Sequence, residues 1–355
     1  DKAVLARWIK LLEIIIMAVA AYGFYIQSAP LLLICLFCMG TQSTLFGPLK
    51  YAILPDYLND KELIMGNSLI ESGTFIAILL GQLLGTAVAG VPPYIVGGLV
   101  LLVAVGGTMT SLFMPSVPAK MPDTKIEWNI IKGTNSLIRE AAADRPVFTS
   151  IIGISWFWFI GSVYTTQLPT FTQIHLGGND NVFNLMLALF SIGIAIGSVL
   201  CAKLSHERLI LGLVTIGTLG LTVCGLLLVW LTHGQRFTEL NGIIWFLSQV
   251  QAYPIMLVMS AIGFFGGFFS VPLYTWLQTA SSETFRAHAV AANNIINGVF
   301  MVSAAILSAV LLMLFDSITL LYLIVAVGNL PLIVYLIKRE PKFIGDLTAL
   351  LKISK

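Results

Sequence analysis

Long apolar runs, separated by short polar turns, fill almost the whole chain. Ten stand out: residues 8–27, 30–54, 62–90, 93–115, 146–174, 181–203, 208–232, 250–279, 285–315 and 317–338. Each has about the 20 residues that carry a helix across a hydrocarbon core of about 30 Å. Leu31-Leu32-Leu33-Ile34-Cys35-Leu36-Phe37-Cys38 shows no alternation of apolar and polar positions. A barrel strand would alternate with period two, so the runs predict helices, the other structure that satisfies its backbone in lipid. The expected fold class is an all-α membrane protein with about ten transmembrane helices.

Composition sharpens this. Of 355 residues, 57% are hydrophobic and 10% charged, whereas soluble domains carry about 25% charged residues. A soluble globular protein, a disordered chain and a nucleic-acid binder are excluded. All of the 19 Lys and Arg except Arg236 fall on one side of the stack when the turns are assigned alternately. Cationic loops stay cytoplasmic, so both ends of this segment are expected there.

The longest polar stretch, Val117 to Arg145, contains Lys120, Lys125, Lys132 and Arg139 with Ile126, Trp128, Ile130, Ile131, Leu137 and Ile138. It reads either as a linker with an amphipathic helix on the membrane surface or as a solvated tether. Asp144 before Arg145-Pro146 is the N-cap and early proline of the next span. The expected organisation is therefore an N-terminal bundle of four helices (1–116), a cytoplasmic linker (117–145), a six-helix bundle (146–338) and a cytoplasmic tail (339–355).

Catalytic chemistry is not indicated. Cys35, Cys38, Cys201 and Cys224 all lie within spans. Despite the C-x-x-C spacing of the first two, they read as inert packing thiols. The four histidines, His175, His206, His233 and His288, sit in loops or at helix ends. No nucleophile–base pair, acyltransferase motif or nucleotide-binding glycine loop is present, so no enzyme, metal or cofactor is expected.

An internal repeat is visible. Phe46-Gly47-Pro48-Leu49-Lys50-Tyr51 matches Ser270-Val271-Pro272-Leu273-Tyr274-Thr275, and Gly66-Asn67-Ser68-Leu69-Ile70-Glu71 matches Ala292-Asn293-Asn294-Ile295-Ile296-Asn297. The copies lie six spans apart in the same orientation. Parallel six-helix halves, two pseudo-symmetric bundles, are the architecture of the major facilitator superfamily. The first half holds four spans, so two further helices are expected before residue 1.

Particular motifs carry a family resemblance. Asp1-Lys2-Ala3-Val4-Leu5-Ala6-Arg7 resembles the tail of the signature loop between helices two and three of major facilitator transporters. The stretch Gly40 to Pro55 (GTQSTLFGPLKYAILP), with Gly66 to Phe75 (GNSLIESGTF), resembles the bacterial lysophospholipid transporter family. Gly153-Ile154-Ser155-Trp156-Phe157-Trp158-Phe159, Gln167-Leu168-Pro169 and His175-Leu176-Gly177-Gly178-Asn179 resemble its branch fused to an acyltransferase and an acyl-carrier-protein synthetase.

The resemblance implies that the ten spans are family helices three to twelve. It implies transport of lysophospholipid, chiefly lysophosphatidylethanolamine, to the inner leaflet of the bacterial inner membrane, where a fused or separate acylating enzyme restores the second chain. It also implies a cytoplasmic gate that uses Asp1, Lys2 and Arg7. One departure concerns the helix starting at 146: it reads Tyr164-Thr165-Thr166-Gln167, where stand-alone members tend to carry an Arg.

Charged groups inside a span are functional candidates because lipid penalises them by several kcal/mol. Glu71 lies about 15 Å along its helix, near the midplane. Lys50 lies close enough to its helix end to snorkel or to reach inward. Glu13 is one turn from Lys10 and reads as its partner. In the repeat, Lys50 corresponds to Tyr274 and Glu71 to Asn297, so the charge occurs in one half only. Lys50 and Glu71 are read either as contacts for a zwitterionic ligand or as a structural ion pair. Gln42, Gln167, Asn67, Asn293, Asn294 and Asn297 line the cavity or bond between helices. Gly81 with Gly85, and Gly193 with Gly197, predict close helix contacts that let the halves slide. The cluster Trp156, Phe157, Trp158 and Phe159 holds an acyl chain or forms an interfacial belt. Rival readings are a major facilitator carrier of another small solute or drug, and a non-transporting membrane part of a phospholipid-acylating fusion.

Overall fold

The computed structural model describes residues 1–118 and 129–353. Lys120, Lys125, Ile126 and Trp128 of the linker, and Lys355 of the tail, lie outside the described residues. The first set of helices is α1 (Lys2–Tyr25), α2 (Ala29–Ala52), the short α3 (Leu54–Tyr57), α4 (Leu63–Ala87) and α5 (Pro93–Leu112). Next comes α6 (Ile130–Ala143). The second set is α7 (Arg145–Leu176), α8 (Asp180–Leu204), α9 (Gly212–Leu231), α10 (Ile243–Ser248), α11 (Ala252–Ala280), α12 (Arg286–Phe315) and α13 (Ile318–Arg339). A final helix, α14, runs over Lys342–Ile353.

Among the described residues, nine helical segments are long and apolar enough to cross a membrane. α1, the tenth span expected from the hydropathy pattern, is not one of the nine. It is 24 residues long, about 36 Å, and carries Lys2, Arg7, Lys10 and Glu13 in its first half. Two of these charges neutralise each other: Lys10 Nζ lies 2.8 Å from Glu13 Oε2. The chain is thus an all-helical, multi-pass membrane protein.

Local sequence explains where several helices begin and end. Asp144 caps α7 by accepting from the Val147 N–H at 3.2 Å, as its place before Arg145-Pro146 requires. α7 ends at Gly177, whose φ of 60° is the left-handed conformation that glycine adopts without strain. Asp1 caps α1 through the Ala3 N–H at 2.8 Å. In the linker, Asn129 caps α6 through the Lys132 N–H at 3.0 Å. α6 buries Ala141 where it meets α7 and α12, and leaves Ile130 and Ile131 exposed. The tail is more ordered than its polar composition suggests. Asp346 Oδ2 of α14 accepts from the Leu211 N–H at 2.8 Å, Thr215 Oγ1 donates to the Phe343 carbonyl at 2.8 Å, and Phe343 is fully buried.

The repeat reappears as packing. The sequence match equates α2 with α11 and α4 with α12. In the structure α2 packs on α12 and α11 packs on α4, which is one contact made twice with the partners exchanged. The two equated prolines, Pro48 and Pro272, both sit inside their helices. Each removes a backbone donor and leaves the carbonyl four residues earlier without its helical partner. For Pro48 that carbonyl belongs to Thr44, and Asn294 Nδ2 of α12 donates to it at 3.2 Å.

Gly193 and Gly197 do mark a close helix contact: a Cβ on either would run into the backbone of α11 at Ser260 and Phe264. This contact lies within the second set of helices, between α8 and α11, and so does not allow the two halves to slide as expected. Gly81 and Gly85 are exposed, with nothing within 4 Å of a Cβ built on either. Among the described residues, the expected contact there is not made. Small-residue spacing aligns two positions on a helix face, but only the arrangement of neighbours decides whether that face is covered. All four cysteines are free, and Cys35, Cys201 and Cys224 are buried.

Candidate functional site

A cavity of about 340 Å³ lies where α2, α7, α11 and α12 meet. Its wall takes Thr44, Lys50 and Tyr51 from α2, Trp158 from α7, Tyr274 from α11, and Asn293, Asn294 and Asn297 from α12. Among the described residues, Lys50 is the only charged one lining it. Both copies of the repeat therefore contribute, and Lys50 and its counterpart Tyr274 face the same space.

Lys50 is half-buried, with its ammonium 2.9 Å from Thr74 Oγ1 of α4 and 5.1 Å from the centroid of the Tyr51 ring. An ammonium has three donors, and the one described hydrogen bond leaves capacity for an anion. Glu71 is 1% exposed and does not line the cavity. Its Oε2 accepts from the Tyr51 hydroxyl at 2.8 Å, and its Oε1 is buried without a partner. Lys50 and Glu71 make no ion pair; Tyr51 bonds the acid on one side and lines the cavity on the other. The two groups are not in direct contact, yet they lie close enough to act on each other electrostatically.

Aromatic stacking builds one wall. The Tyr51 and Tyr274 rings lie parallel, 4.0 Å between centroids and 4° apart. Trp158 Nε1 donates to the Tyr274 hydroxyl at 2.8 Å, which fixes the second ring. Asn297 Oδ1 accepts from Ser155 Oγ at 2.7 Å, while Asn293 Oδ1 is buried without a partner. A cation, amides and aromatic faces together suit a phosphate with hydrogen-bonding groups around it.

The other expected site residues lie elsewhere. Asn67 is in a clamp between the halves: its Nδ2 is 2.6 Å from Gln278 Oε1 and 3.1 Å from Thr275 Oγ1. Gln278 Nε2 in turn donates to the Tyr51 carbonyl at 2.9 Å. Arg286 Nε donates to the Gln278 carbonyl at 2.7 Å and steadies the end of α11. Gln42 is buried against α1, with its Nε2 2.9 Å from Glu13 Oε2. Gln167 is half-buried on α7 and is not part of the cavity wall. Asp1, Lys2 and Arg7 all hold α1 to its own half. Asp1 accepts from Ser116, Lys2 Nζ lies 2.5 Å from Asp56 Oδ2, and Arg7 Nη2 donates to the Met114 carbonyl at 2.8 Å.

In the aromatic cluster, Trp156 stacks on Phe159 at 4.9 Å and its Nε1 donates to Asn329 Oδ1 at 2.8 Å. Trp158 alone of the four lines the cavity. Tyr51, Thr74 and Gln278 are not among the candidates read from the sequence; Tyr274 enters there only as the counterpart of Lys50, and Trp158 as part of the aromatic cluster. Tyr51 and Tyr274 lay inside the repeat and next to the charged candidates, a signal that was available. Gln278 carried none.

Residues 5–250 match the family model described as Major Facilitator Superfamily. "Lysophospholipid transporter LplT" of Enterobacter sp. (strain 638) is 29% identical over 262 residues, which cover 72% of the chain and 61% of the relative. The protein of the same name from Escherichia coli O157:H7 (strain EC4115 / EHEC) is 28% identical over 263 residues, with the same coverage. The match thus spans about three fifths of the length of these curated relatives. Among solved structures, the human organic anion transporter MFSD10 (TETRAN) superposes with a TM-score of 0.77 at 15% identity, covering 95% of the chain and 77% of that structure. FucP in the outward conformation gives 0.65 at 12% identity, covering 96% and 83%.

Proposed function

The chain belongs to the Major Facilitator Superfamily, and on that premise we propose that it moves lysophospholipid, chiefly lysophosphatidylethanolamine, across the bacterial inner membrane by alternating access. The observation that carries this reading is Lys50, a cation that faces a cavity between the two repeats and, among the described residues, has no carboxylate within ion-pair distance. The phosphate of a lysolipid meets that cation. Its ammonium group is met by the aromatic faces of Tyr274 and Trp158 and by the amide oxygens of Asn293 and Asn297. Similarity to relatives named as lysophospholipid transporters supports the substrate class.

A space of about 340 Å³ takes a headgroup and leaves the acyl chain outside. Apolar side chains exposed on α2 and α12, among them Leu33, Phe37, Val302 and Ile306, give the chain a lipid-like path. The clamp of Asn67, Gln278 and Thr275 sits at the cation-rich helix ends. Rocking of one half against the other breaks it and opens the cavity on that side. The one-sided distribution of cations supports a cytoplasmic location for both ends of this segment. An acyltransferase with an acyl-carrier-protein synthetase, fused or separate, consumes the delivered lysolipid.

The test uses the purified protein in vesicles with labelled lysophosphatidylethanolamine, removed from the outer leaflet by albumin. Wild-type protein protects the label and unlabelled lysolipid competes, whereas sugars do not. Lys50→Ala removes a charge-assisted hydrogen bond of about 1.5–3 kcal/mol, which lowers apparent affinity roughly 10- to 100-fold. Glu71→Gln slows transport by freeing Tyr51 from the buried charge. Normal transport by both variants at normal expression overturns the proposal.

A further inference from the structure

A second pocket, of about 360 Å³, lies between the start of α7 and the end of α13. It is walled by Arg145, Thr149, Trp276, Arg339 and Glu340, with Pro146 and Pro341 at its edges. Arg145 Nη2 donates to the Lys338 carbonyl at 3.0 Å, which holds its guanidinium across to α13. Arg339 lies 5.7 Å from the Tyr335 ring, and its Nε is buried with no acceptor.

The acids nearby do not neutralise these groups. Glu340 Oε1 accepts from the Lys342 N–H at 3.3 Å, and Asp144 is engaged as the cap of α7. Among the described residues, neither arginine has a carboxylate within ion-pair distance. A buried donor without an acceptor is costly, and a planar guanidinium fork matches the oxygens of a phosphate. The pocket opens where two spans end on the cation-rich side, the depth at which phospholipid phosphates lie. Trp276 makes an edge-on contact with Phe343 at 5.5 Å, which gives an apolar floor beneath the charged rim.

We propose that the Arg145–Arg339 pocket binds a phosphate-bearing anion, with the headgroup of an anionic phospholipid of the adjoining leaflet as its source, at a site separate from the Lys50 cavity. A bound phosphate there bridges α7 and α13 and supplies the acceptor that Arg339 lacks.

The intact protein is transferred to phosphatidylcholine nanodiscs with or without phosphatidylglycerol, and retained lipid is read by native mass spectrometry. Retention of phosphatidylglycerol by wild type and by Lys132→Gln, with loss in Arg145→Gln/Arg339→Gln, supports the proposal. Stabilisation of wild type but not the double variant by inorganic phosphate in detergent, without lipid retention, supports the same site with soluble phosphate as the source. Labelling of wild-type Arg145 and Arg339 by phenylglyoxal needs no variant, and phosphatidylglycerol or inorganic phosphate lowers it. Labelling that neither anion changes, or identical lipid retention and phosphate response in the wild type and a folded double variant, overturns the proposal.

Discussion

Three positions of one repeat can be set against their counterparts in the other. Lys50 faces the cavity and bonds Thr74, whereas Tyr274 is buried, stacked on Tyr51 and held by Trp158. Asn67 is saturated in the clamp, whereas Asn293 lines the cavity with an orphaned oxygen. Glu71 is a buried acid bonded by Tyr51, whereas Asn297 is a neutral amide bonded by Ser155. Two copies of a scaffold thus divide the work. The first half carries charge and the latch, and the second supplies neutral hydrogen-bonding walls. A cation is tolerated where a cavity leaves donors free, and an aromatic ring takes its place where neighbours close in.

The harshest way to break the comparison is to make the halves alike. Tyr274→Lys places a buried ammonium beside Tyr51 and Trp158 near the end of α11, at a cost of up to about 3 kcal/mol, the amount that opposes a lysine at the centre of a span. The expected result is a large fall in melting temperature in detergent and little folded protein. A variant that melts like wild type shows that the counterpart site accepts charge.

Asn67→Ala has an intermediate effect. It strips Gln278 and Thr275 of a buried partner, at about 1–2 kcal/mol for interhelical polar contacts in membranes. Melting temperature drops moderately, and residues at the cation-rich helix ends become more accessible to water-soluble thiol reagents after cysteine substitution. Unchanged accessibility removes Asn67 from the clamp.

Asn293→Ala sharpens the contrast at the low end. The amide oxygen has no protein partner to lose, so stability stays within about 0.5 kcal/mol of wild type, while lysolipid competes less well in the vesicle assay. A stability loss as large as that of Asn67→Ala makes the two asparagines equivalent and ends the division of labour.

Much of this was legible in the chain. Spans, turns, the Asp144 cap, the Lys10–Glu13 pair and the tie between residues 46–71 and 270–297 follow from patterns within a helix or between copies. Lys50, Asn293 and Asn297, read as candidates from the sequence, line one cavity in the structure. Gln42 was read as a candidate, yet it turns to Glu13, because a polar residue in a span takes whichever polar partner its helix rotation presents. Asp1, Lys2 and Arg7 bond within their own half for the same reason. Asn294 illustrates a clue present but incomplete: Pro48 announces a freed carbonyl at Thr44, but nothing local says which helix answers it.

The sequence by itself determined which segments form long apolar helices, that the cations gather at one set of alternate turns, and that one half repeats the other. Those outcomes are sums of transfer free energies over single segments and need no knowledge of neighbours. Only the tertiary structure decided that Tyr51 stands between Glu71 and the cavity, that Lys50 faces that cavity without a direct ion pair to Glu71, and that Asn67 latches one half to the other. These depend on how each helix is rotated and how closely its neighbour approaches. Inside lipid that is settled by packing and by the search of each polar group for a partner, both of which join residues far apart in the chain.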